Sequence, residues 1–383
     1  SVNTGCTNIA GTTTQTGNTA RTAAATATGM TSGSTYYTCV RAYDNVGNVS
    51  AWVCSNGFTV DTAAPSAPTS ANIFDLSTTL VDQTWSGSAT ALSASWNAGS
   101  DTGPSGIRDY DVCFSSVNTG CTNIAGTTTQ TGNTSRIAVA TASGMSHGTK
   151  YYSCIRANDN AGNGTAWVCS NGFTIDTAPP TNPSWSNIFD LSTSLVDAAW
   201  STSTTLLGAS WNAGSGTVSG VRDYDVCFSS VGSGCTSIAG TTIQAGNTTR
   251  TATATASGMT HGNRYFVCVR AWDNAGNVAA SWTCSNGFVV DTVAPAAPAA
   301  AHIYDLSTTF SADQSLTSSA TALSASWDVG SDTTSSVQDY DVCFSSINDG
   351  CISITGTVVQ AGNTTRTAVA TASSMSSGAT YYT

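Results

Sequence analysis

Hydrophobic and polar residues alternate most clearly along residues 148–163, which read Gly-Thr-Lys-Tyr-Tyr-Ser-Cys-Ile-Arg-Ala-Asn-Asp-Asn-Ala-Gly-Asn. Because successive side chains of a strand point to opposite faces, Tyr151 and Ile155 share one face, and Cys154 and Arg156 share the other. In a later copy of this stretch the first face is apolar throughout, which marks it as buried. The closing Asp-Asn-Ala-Gly-Asn is typical of a tight turn. The stretch therefore predicts a central strand that ends in a hairpin.

The same stretch recurs at residues 33–48 and 262–277, so the chain is repetitive. Cys39, Cys154 and Cys268 lie 115 and 114 residues apart. A period of about 115 residues corresponds to a whole domain per repeat rather than a solenoid unit. We predict a partial repeat at 1–61, complete repeats at 62–176 and 177–291, and a partial repeat at 292–383.

Both ends of the sequence fall inside a repeat. Ser1 aligns with Ser116 in mid-domain, and Thr383 stops one residue before the next expected cysteine. We therefore expect the array to continue beyond the sequence in both directions.

Two further alternating segments predict strands with a buried face. Leu92 and Trp96 are expected to point inward on the first, and Tyr110, Val112 and Phe114 on the second. Residues 127–130 and 135–141 read as two more strands because they are rich in β-branched residues. The proline-containing segment 61–68 reads as a stiff linker into a first edge strand. Residues 73–88 fit only an inserted strand or loop, and no amphipathic helix is predicted.

These motifs together resemble a fibronectin type III domain. The resemblance rests on Trp96, on the Ile-x-x-Tyr-x-Val pattern from Ile107 to Val112, and on the Gly-Thr-x-Tyr-x-x-x-Ile-Arg-Ala pattern of residues 148–157. The turn that follows is similar to turns of bacterial members of that group. The resemblance implies an all-β chain, a tandem array of fibronectin type III-like, immunoglobulin-like sandwiches with seven strands in two sheets. Each repeat departs from the family in its length and in carrying four cysteines.

Composition indicates an extracellular or cell-surface protein. Charged residues make up 9% of the chain, the net charge is −11, and all 22 acidic residues are Asp. Thirteen cysteines at fixed repeat positions suggest disulfides and an oxidising compartment. The negative charge argues against a nucleic-acid partner. No apolar run approaches the ~20 residues of a membrane span.

The resemblance implies that each cysteine pairs with a partner close in sequence. The expected disulfides are Cys39–Cys54, Cys113–Cys121, Cys154–Cys169, Cys227–Cys235, Cys268–Cys284 and Cys343–Cys351. Pairing of Cys113 with Cys154 is the alternative, because their strands are neighbours in the family. Cys6 is expected to have no partner in this chain.

No residue set indicates catalysis. His147 and His261 occupy a position where other copies have Ser, which a catalytic base would not tolerate, and His302 stands apart. The cysteine spacing does not match a zinc ribbon. Asp109 and Asp111 recur in the later copies, but glycosidase carboxyls face each other across a cleft, so we expect a solvated face. We predict that the chain is not an enzyme.

Two binding hypotheses remain, with a structural alternative beside each. Asp159, Asn160, Asn163 and Asp176 offer hard oxygen ligands that suit a structural calcium ion, although Asp and Asn also simply form turns; no other cofactor is expected. The tryptophans at one recurring position could form a sugar platform, cover the neighbouring disulfide or make a domain contact; they are Trp52, Trp167 and Trp282. The sequons at Asn133, Asn247 and Asn363 would permit surface glycans.

The favoured function is a structural one: an extracellular fibre, stalk or adhesin shaft. The linkers contain proline, which favours a stiff rod. The near absence of Lys and Glu leaves neutral surfaces that can associate, so we expect self-association into a filament. The alternatives are glycan- or receptor-binding modules, and the accessory region of a large secreted enzyme.

Overall fold

The computed structural model describes residues 4–216 and 218–383, so the expected start of the first repeat at Ser1 lies outside the described residues. Contacts group the chain into two compact units, and each is described by itself. The first comprises Ser1–Thr181, Gly214–Asp223 and Ala271–Ala280; the second comprises Asn182–Ala213, Tyr224–Arg270 and Ser281–Thr383.

The first repeat contributes four short strands, β1 (Thr35–Tyr36), β2 (Cys39–Val40), β3 (Val53–Cys54) and β4 (Phe58–Thr59). Strand β1 pairs with β4 and β2 pairs with β3, both antiparallel. Phe58 is 49% exposed, whereas Phe173 at the same position of the next repeat is fully buried. The described residues of the first repeat supply no second sheet to cover it.

The second repeat is a two-sheet β-sandwich. Its strands are β5 (Ile73–Asp75), β6 (Trp85–Ser86), β7 (Ala91–Trp96), β8 (Ile107–Ser115), β9 (Gln130–Asn133), β10 (Ile137–Thr141), β11 (Lys150–Asp159), β12 (Val168–Cys169) and β13 (Phe173–Ile175). One sheet has the order β10-β7-β5 and the other β6-β13-β11-β8-β9, with β12 beside β11. The all-β tandem fold expected from the sequence is confirmed.

The period-two pattern places the core where it was predicted. Phe114, Ile155 and Phe173 are fully buried. Trp96 is fully buried as well, and its ring meets that of Tyr110 edge-on at 5.7 Å between centroids. Edge-to-face pairs of this kind stabilise a core beyond the area they bury. The central strands thus follow the alternation read from the sequence.

Residues 73–88, which had no clear place in the sequence scheme, form the first edge of the sandwich. Strand β5 pairs antiparallel with β7, and β6 pairs in parallel with β13 on the opposite sheet. The chain crosses between sheets through Leu76 and Leu80, which have φ of 54° and 60°. Such values are strained for leucine. The expected edge strand near the prolines is wrong, because segment 61–68 makes only one bridge, Ser66 with Ser100.

One predicted strand is displaced. Residues 124–127 form a turn, in which Thr127 N–H donates to the Ile124 carbonyl at 2.9 Å. Strand β9 therefore begins at Gln130 rather than at residue 127. The β-branched composition correctly predicted a strand in this region but placed its start too early, because the residues at the predicted start belong to the turn and the segment that follows it.

The second unit contains most of the third repeat and the partial fourth. The third repeat has β14 (Ile188–Asp190), β15 (Trp200–Ser201), β16 (Leu206–Trp211), β17 (Val221–Ser229), β18 (Gln244–Asn247), β19 (Thr251–Thr255), β20 (Arg264–Asp273), β21 (Thr283–Cys284) and β22 (Phe288–Val290). The fourth has β23 (Ile303–Asp305), β24 (Ala322–Trp327), β25 (Tyr340–Val342), β26 (Gln360–Asn363) and β27 (Thr367–Thr371). The sheet order of the third repeat matches that of the second.

Helical structure among the described residues is limited to three short 3-10 turns, Ser70–Asn72, Trp185–Asn187 and Ala300–His302. Within the described part of the chain, no helix has the length and apolar character needed to cross a membrane.

Side-chain amides occupy the exposed edge of β10. Gln130 Nε2 donates to the Val139 carbonyl at 2.8 Å, and Asn133 Nδ2 donates to the Ile137 carbonyl at 2.7 Å. The same two bonds recur in the other three copies. Carbonyls that are already bonded cannot pair with a strand of another molecule, so this edge is protected.

Candidate functional site

The cysteine-bearing face of each repeat lies on the outer side of the larger sheet. The structure joins the six local pairs: Cys39–Cys54, Cys113–Cys121, Cys154–Cys169, Cys227–Cys235, Cys268–Cys284 and Cys343–Cys351. Cys113 and Cys154 are direct cross-strand neighbours, so the alternative pairing was sterically reasonable. Cys6 is exposed and free.

Trp167 packs against this disulfide cluster rather than standing free. The guanidinium of Arg156 lies 5.0 Å from the centre of its ring, and Arg156 Nε donates to Asp111 Oδ2 at 2.7 Å. The guanidinium groups of Arg41 and Arg270 lie in the same way over the rings of Trp52 and Trp282, at 4.6 and 4.8 Å from the ring centres. Since a guanidinium already covers the indole, this position fits the covering of a disulfide better than a sugar platform.

Asp109 and Asp111 do not form the solvated face that we expected. They are only 8% and 4% exposed. Side chains of the neighbouring strand β11 contact both: Asn158 Nδ2 donates to Asp109 Oδ1 at 3.0 Å, and Arg156 Nε donates to Asp111 Oδ2 at 2.7 Å. The hydrogen bond from Arg108, at 2.7 Å, holds the pKa of Asp109 below its usual value. Each carboxylate is therefore part of an ion pair, Asp109 with Arg108 and Asp111 with Arg156.

The candidate metal centre lies at the junction between the first and second repeats. Asp159 is the last residue of β11 and is fully buried. Its carboxylate accepts hydrogen bonds from the Asn163 N–H at 2.8 Å and from Asn163 Nδ2 at 2.7 Å. Asn163 Nδ2 also donates to the Asp61 carbonyl at 3.1 Å, and Asn160 Nδ2 donates to the Ser105 carbonyl at 2.9 Å. The turn is therefore hydrogen-bonded to the linker that leads into the second repeat.

Three carboxylates meet at this junction. One oxygen from each of Asp61, Asp101 and Asp159 lies within 4.8 Å of the others. Burial alone would raise the pKa of Asp159, but its hydrogen bonds from Asn163 hold the pKa below the usual value. The Ser105 hydrogen bond likewise lowers the pKa of Asp61. Asp101 Oδ2 is buried without a hydrogen-bond partner among the described residues. This oxygen-rich, anionic donor set fits calcium.

Of the four residues expected to bind calcium, only Asp159 belongs to this carboxylate cluster, whose other members are Asp61 and Asp101. Asn160 and Asn163 lie at the same junction, where their side-chain amides donate hydrogen bonds, and Asp176 does not lie there. Strands β11 and β13 are antiparallel, so Asp176, which follows β13, lies at the opposite end of the sandwich from Asp159. There it accepts a bond from the Ser219 N–H at 2.7 Å and belongs to the next junction. A sequence pattern cannot show which linker a turn meets.

The histidines of the repeats also serve the linkers. His147 Nδ1 accepts a bond from the Thr177 N–H at 3.1 Å, and His261 Nδ1 accepts one from Thr292 at 3.2 Å. In the first repeat Ser32 Oγ accepts the bond from Thr62 at 3.3 Å. This position can therefore be either His or Ser, because it requires only a side-chain atom that accepts a hydrogen bond from the linker. His302 stands apart, in an exposed pair with Asp328 at 2.6 Å.

Sequence reasoning missed a buried carboxylate in each complete repeat. Asp75 is fully buried at the end of β5 and accepts bonds from the Ser153 N–H at 3.1 Å, the Ser170 hydroxyl at 2.9 Å and the Gly172 N–H at 3.1 Å. Burial raises its pKa to about 6, and that of Asp190 in the third repeat to about 7. The only signal was an Asp that recurs after an apolar pair in a chain of few charges.

No protein-family model matches the chain. Exoglucanase B of Cellulomonas fimi is 32% identical over 330 residues, which are 82% of this chain and 26% of that protein. Chitinase A1 of Niallia circulans is 32% identical over 266 residues, 67% of this chain and 30% of that protein. Endoglucanase B of Cellulomonas fimi is 27% identical over 256 residues, 66% of this chain and 21% of that protein.

The chain thus spans about a quarter of the length of the curated relatives it matches. Among solved structures, the crystal structure of chicken CNTN1 FN1–FN3 domains is similar over 80% of this chain and 88% of that one, with 16% identity and a TM-score of 0.25.

Proposed function

Because the chain is a tandem array of fibronectin type III-like β-sandwich repeats, we propose that it is a non-catalytic accessory region of a larger secreted enzyme that degrades a polysaccharide. The observation that carries this proposal is the extent of the likeness to exoglucanase B. It covers 330 residues, and therefore more than two periods of the array. A likeness of that extent relates the array itself, and not one isolated domain, to the relatives.

The relatives support the accessory region over the fibre or adhesin shaft that the sequence favoured. These relatives are two glucanases and a chitinase. The protected edge of β10 also argues against growth of a filament by strand pairing along that edge. The six disulfides support an extracellular location.

The junctions of the first unit support a spacer with fixed connections. Asn163 donates to the Asp61 carbonyl at 3.1 Å and to the Ala63 carbonyl at 3.4 Å. Asn277 repeats the arrangement with the Asp176 carbonyl at 2.6 Å. A linker whose carbonyls are bonded to the next repeat has fewer conformations than a free chain. An accessory array of this kind would hold other domains at a set separation.

We also propose that calcium stabilises the first junction, held by Asp61, Asp101 and Asp159. The unpartnered oxygen of Asp101 supports this assignment. The third repeat has Gly216 where the second has Asp101, so the proposal is confined to the junction that carries all three carboxylates.

Sequencing the coding region on both sides of this segment tests the main proposal. We expect a glycoside-hydrolase catalytic domain in the same reading frame. Removal of the array from that protein should leave hydrolysis of a soluble substrate unchanged and slow hydrolysis of an insoluble one. A reading frame that encodes only further repeats would contradict the proposal and favour the fibre.

A further inference from the structure

A shallow groove crosses the outer surface of the smaller sheet in the second repeat, with a volume of about 700 Å³. Leu76 and Trp85 line one side, from the segment that crosses between the sheets. Ser93 and Val139 line the floor, from β7 and β10. Asn277, from the turn of the following repeat, lies at the end. The groove is therefore built in part from the segment 73–88 that crosses between the two sheets.

The following repeat makes a close wall at this groove. A Cβ atom on Gly87 would lie 2.9 Å from the Ala275 carbonyl oxygen and 3.0 Å from Asn277 Oδ1. Only glycine permits that approach without a shift of the backbone. The end of the groove is thus set by backbone contact within the first unit.

The third repeat has the same groove, with a volume of about 510 Å³. Leu191 and Trp200 line its side, and Gly208 and Thr253 lie at the positions of Ser93 and Val139. Trp200 is 44% exposed. Because the groove occurs at equivalent positions in both complete repeats, it is a feature of the repeat itself.

The lining of both grooves is uncharged. None of the described lining residues is ionisable, although the chain carries a net charge of −11. The polar groups are hydroxyls and amides, as in Thr78, Gln83 and Asn277. Charged ligands such as phosphates or acidic peptides would find no countercharge there. An indole beside neutral donors and acceptors suits a ligand with apolar C–H faces and hydroxyl edges.

We propose that these two grooves bind a chain of an uncharged polysaccharide, with the tryptophan stacking on a sugar ring and the hydroxyl and amide side chains bonding its hydroxyls. The choice between glucan and chitin rests on the proposed function, whereas the neutral-sugar chemistry rests on the groove itself. The array would thereby hold an attached catalytic domain near an insoluble substrate.

The test measures binding of the full, oxidised chain to insoluble cellulose and to insoluble chitin by depletion from solution. The double variant Trp85→Ala/Trp200→Ala removes both indoles. Trp185→Ala is the matched control, because Trp185 is 60% exposed and does not line either groove. We expect the double variant to bind at least about tenfold more weakly on the preferred polysaccharide, as aromatic anchors do elsewhere, and the control to bind as the parent does.

Melting temperatures report whether each variant is folded. Should the double variant unfold, the parent's tryptophan fluorescence with soluble cello- and chito-oligosaccharides, compared with that of Trp200→Ala, gives the second readout. Binding of the double variant equal to the parent's, or failure of the parent to bind either polysaccharide, would overturn the inference. Binding that depends on the two tryptophans in a gene without a catalytic domain would retain the groove and reject the accessory function.

Discussion

The buried carboxylate of Asp75 makes the clearest quantitative prediction. Two effects compete: burial disfavours the ionised form, and three hydrogen-bond donors favour it. Burial dominates, since the pKa rises from 3.8 to about 6. A shift of this size corresponds to roughly 3 kcal/mol. The carboxyl is neutral in the folded repeat at a pH where the unfolded chain is already ionised.

The sign follows from that difference. A raised folded-state pKa stabilises the fold fully below the unfolded pKa near 3.8, and this stabilisation is lost as the pH rises through about 6. The variant Asp75→Asn cannot ionise. The free energy of unfolding of the variant, relative to the parent, should therefore increase by about 2.4 kcal/mol between pH 4 and pH 8, since part of the full shift is already lost at pH 4.

Hydrogen exchange measured by mass spectrometry can follow the second repeat alone within the full chain, which a global melt of several repeats cannot. Peptides from β11 report the local unfolding. At each pH the ratio of exchange rates between variant and parent cancels the intrinsic rate. We expect this ratio to change by about 60-fold across the range. Asp349→Asn, at an exposed position, is the control and should leave the ratio unchanged.

A ratio that is independent of pH, or that moves in the opposite direction, would refute the reasoning. It would mean that the bonds from Ser153, Ser170 and Gly172 outweigh desolvation and hold the group ionised. Asp190, whose pKa is raised to about 7, offers an independent repetition of the experiment in the third repeat.

Three further predictions concern the junctions and the sheet edge. Asn163→Ala removes hydrogen-bond donors to the buried Asp159 and to the linker, which should lower the free energy of unfolding by roughly 1–3 kcal/mol. Limited proteolysis between residues 61 and 65 should accelerate, and unchanged cleavage would show that Asn163 does not hold the linker. Calcium should raise the melting temperature of the parent but not of Asp101→Asn, and calorimetry that detects no binding would exclude the site. Replacing Gln130, Gln244 and Gln360 by Ala frees edge carbonyls, so sedimentation velocity should show more association; a monomeric variant would show that the edge needs no protection.

The alternation along the chain determined the central strands and the core side chains around Trp96, and the resemblance of its motifs to fibronectin type III domains indicated the fold class. These features are local, because a period of two fixes which side chains share a face. The sequence also predicted the six disulfide partners that the structure joins, each only 8 to 16 residues apart. Such pairs need a hairpin and its neighbouring strands, and little knowledge of the remaining fold.

Only the tertiary structure decided the order of the strands, and with it the surroundings of each polar residue. Asp109 and Asp111 are buried because β8 is a central strand, and Asp159 meets Asp61 rather than Asp176 because β11 and β13 are antiparallel. The crossing segment 73–88 reached both sheets, and so built the groove and buried Asp75. Burial and neighbours at this range depend on contacts roughly 100 residues apart, which no local period encodes.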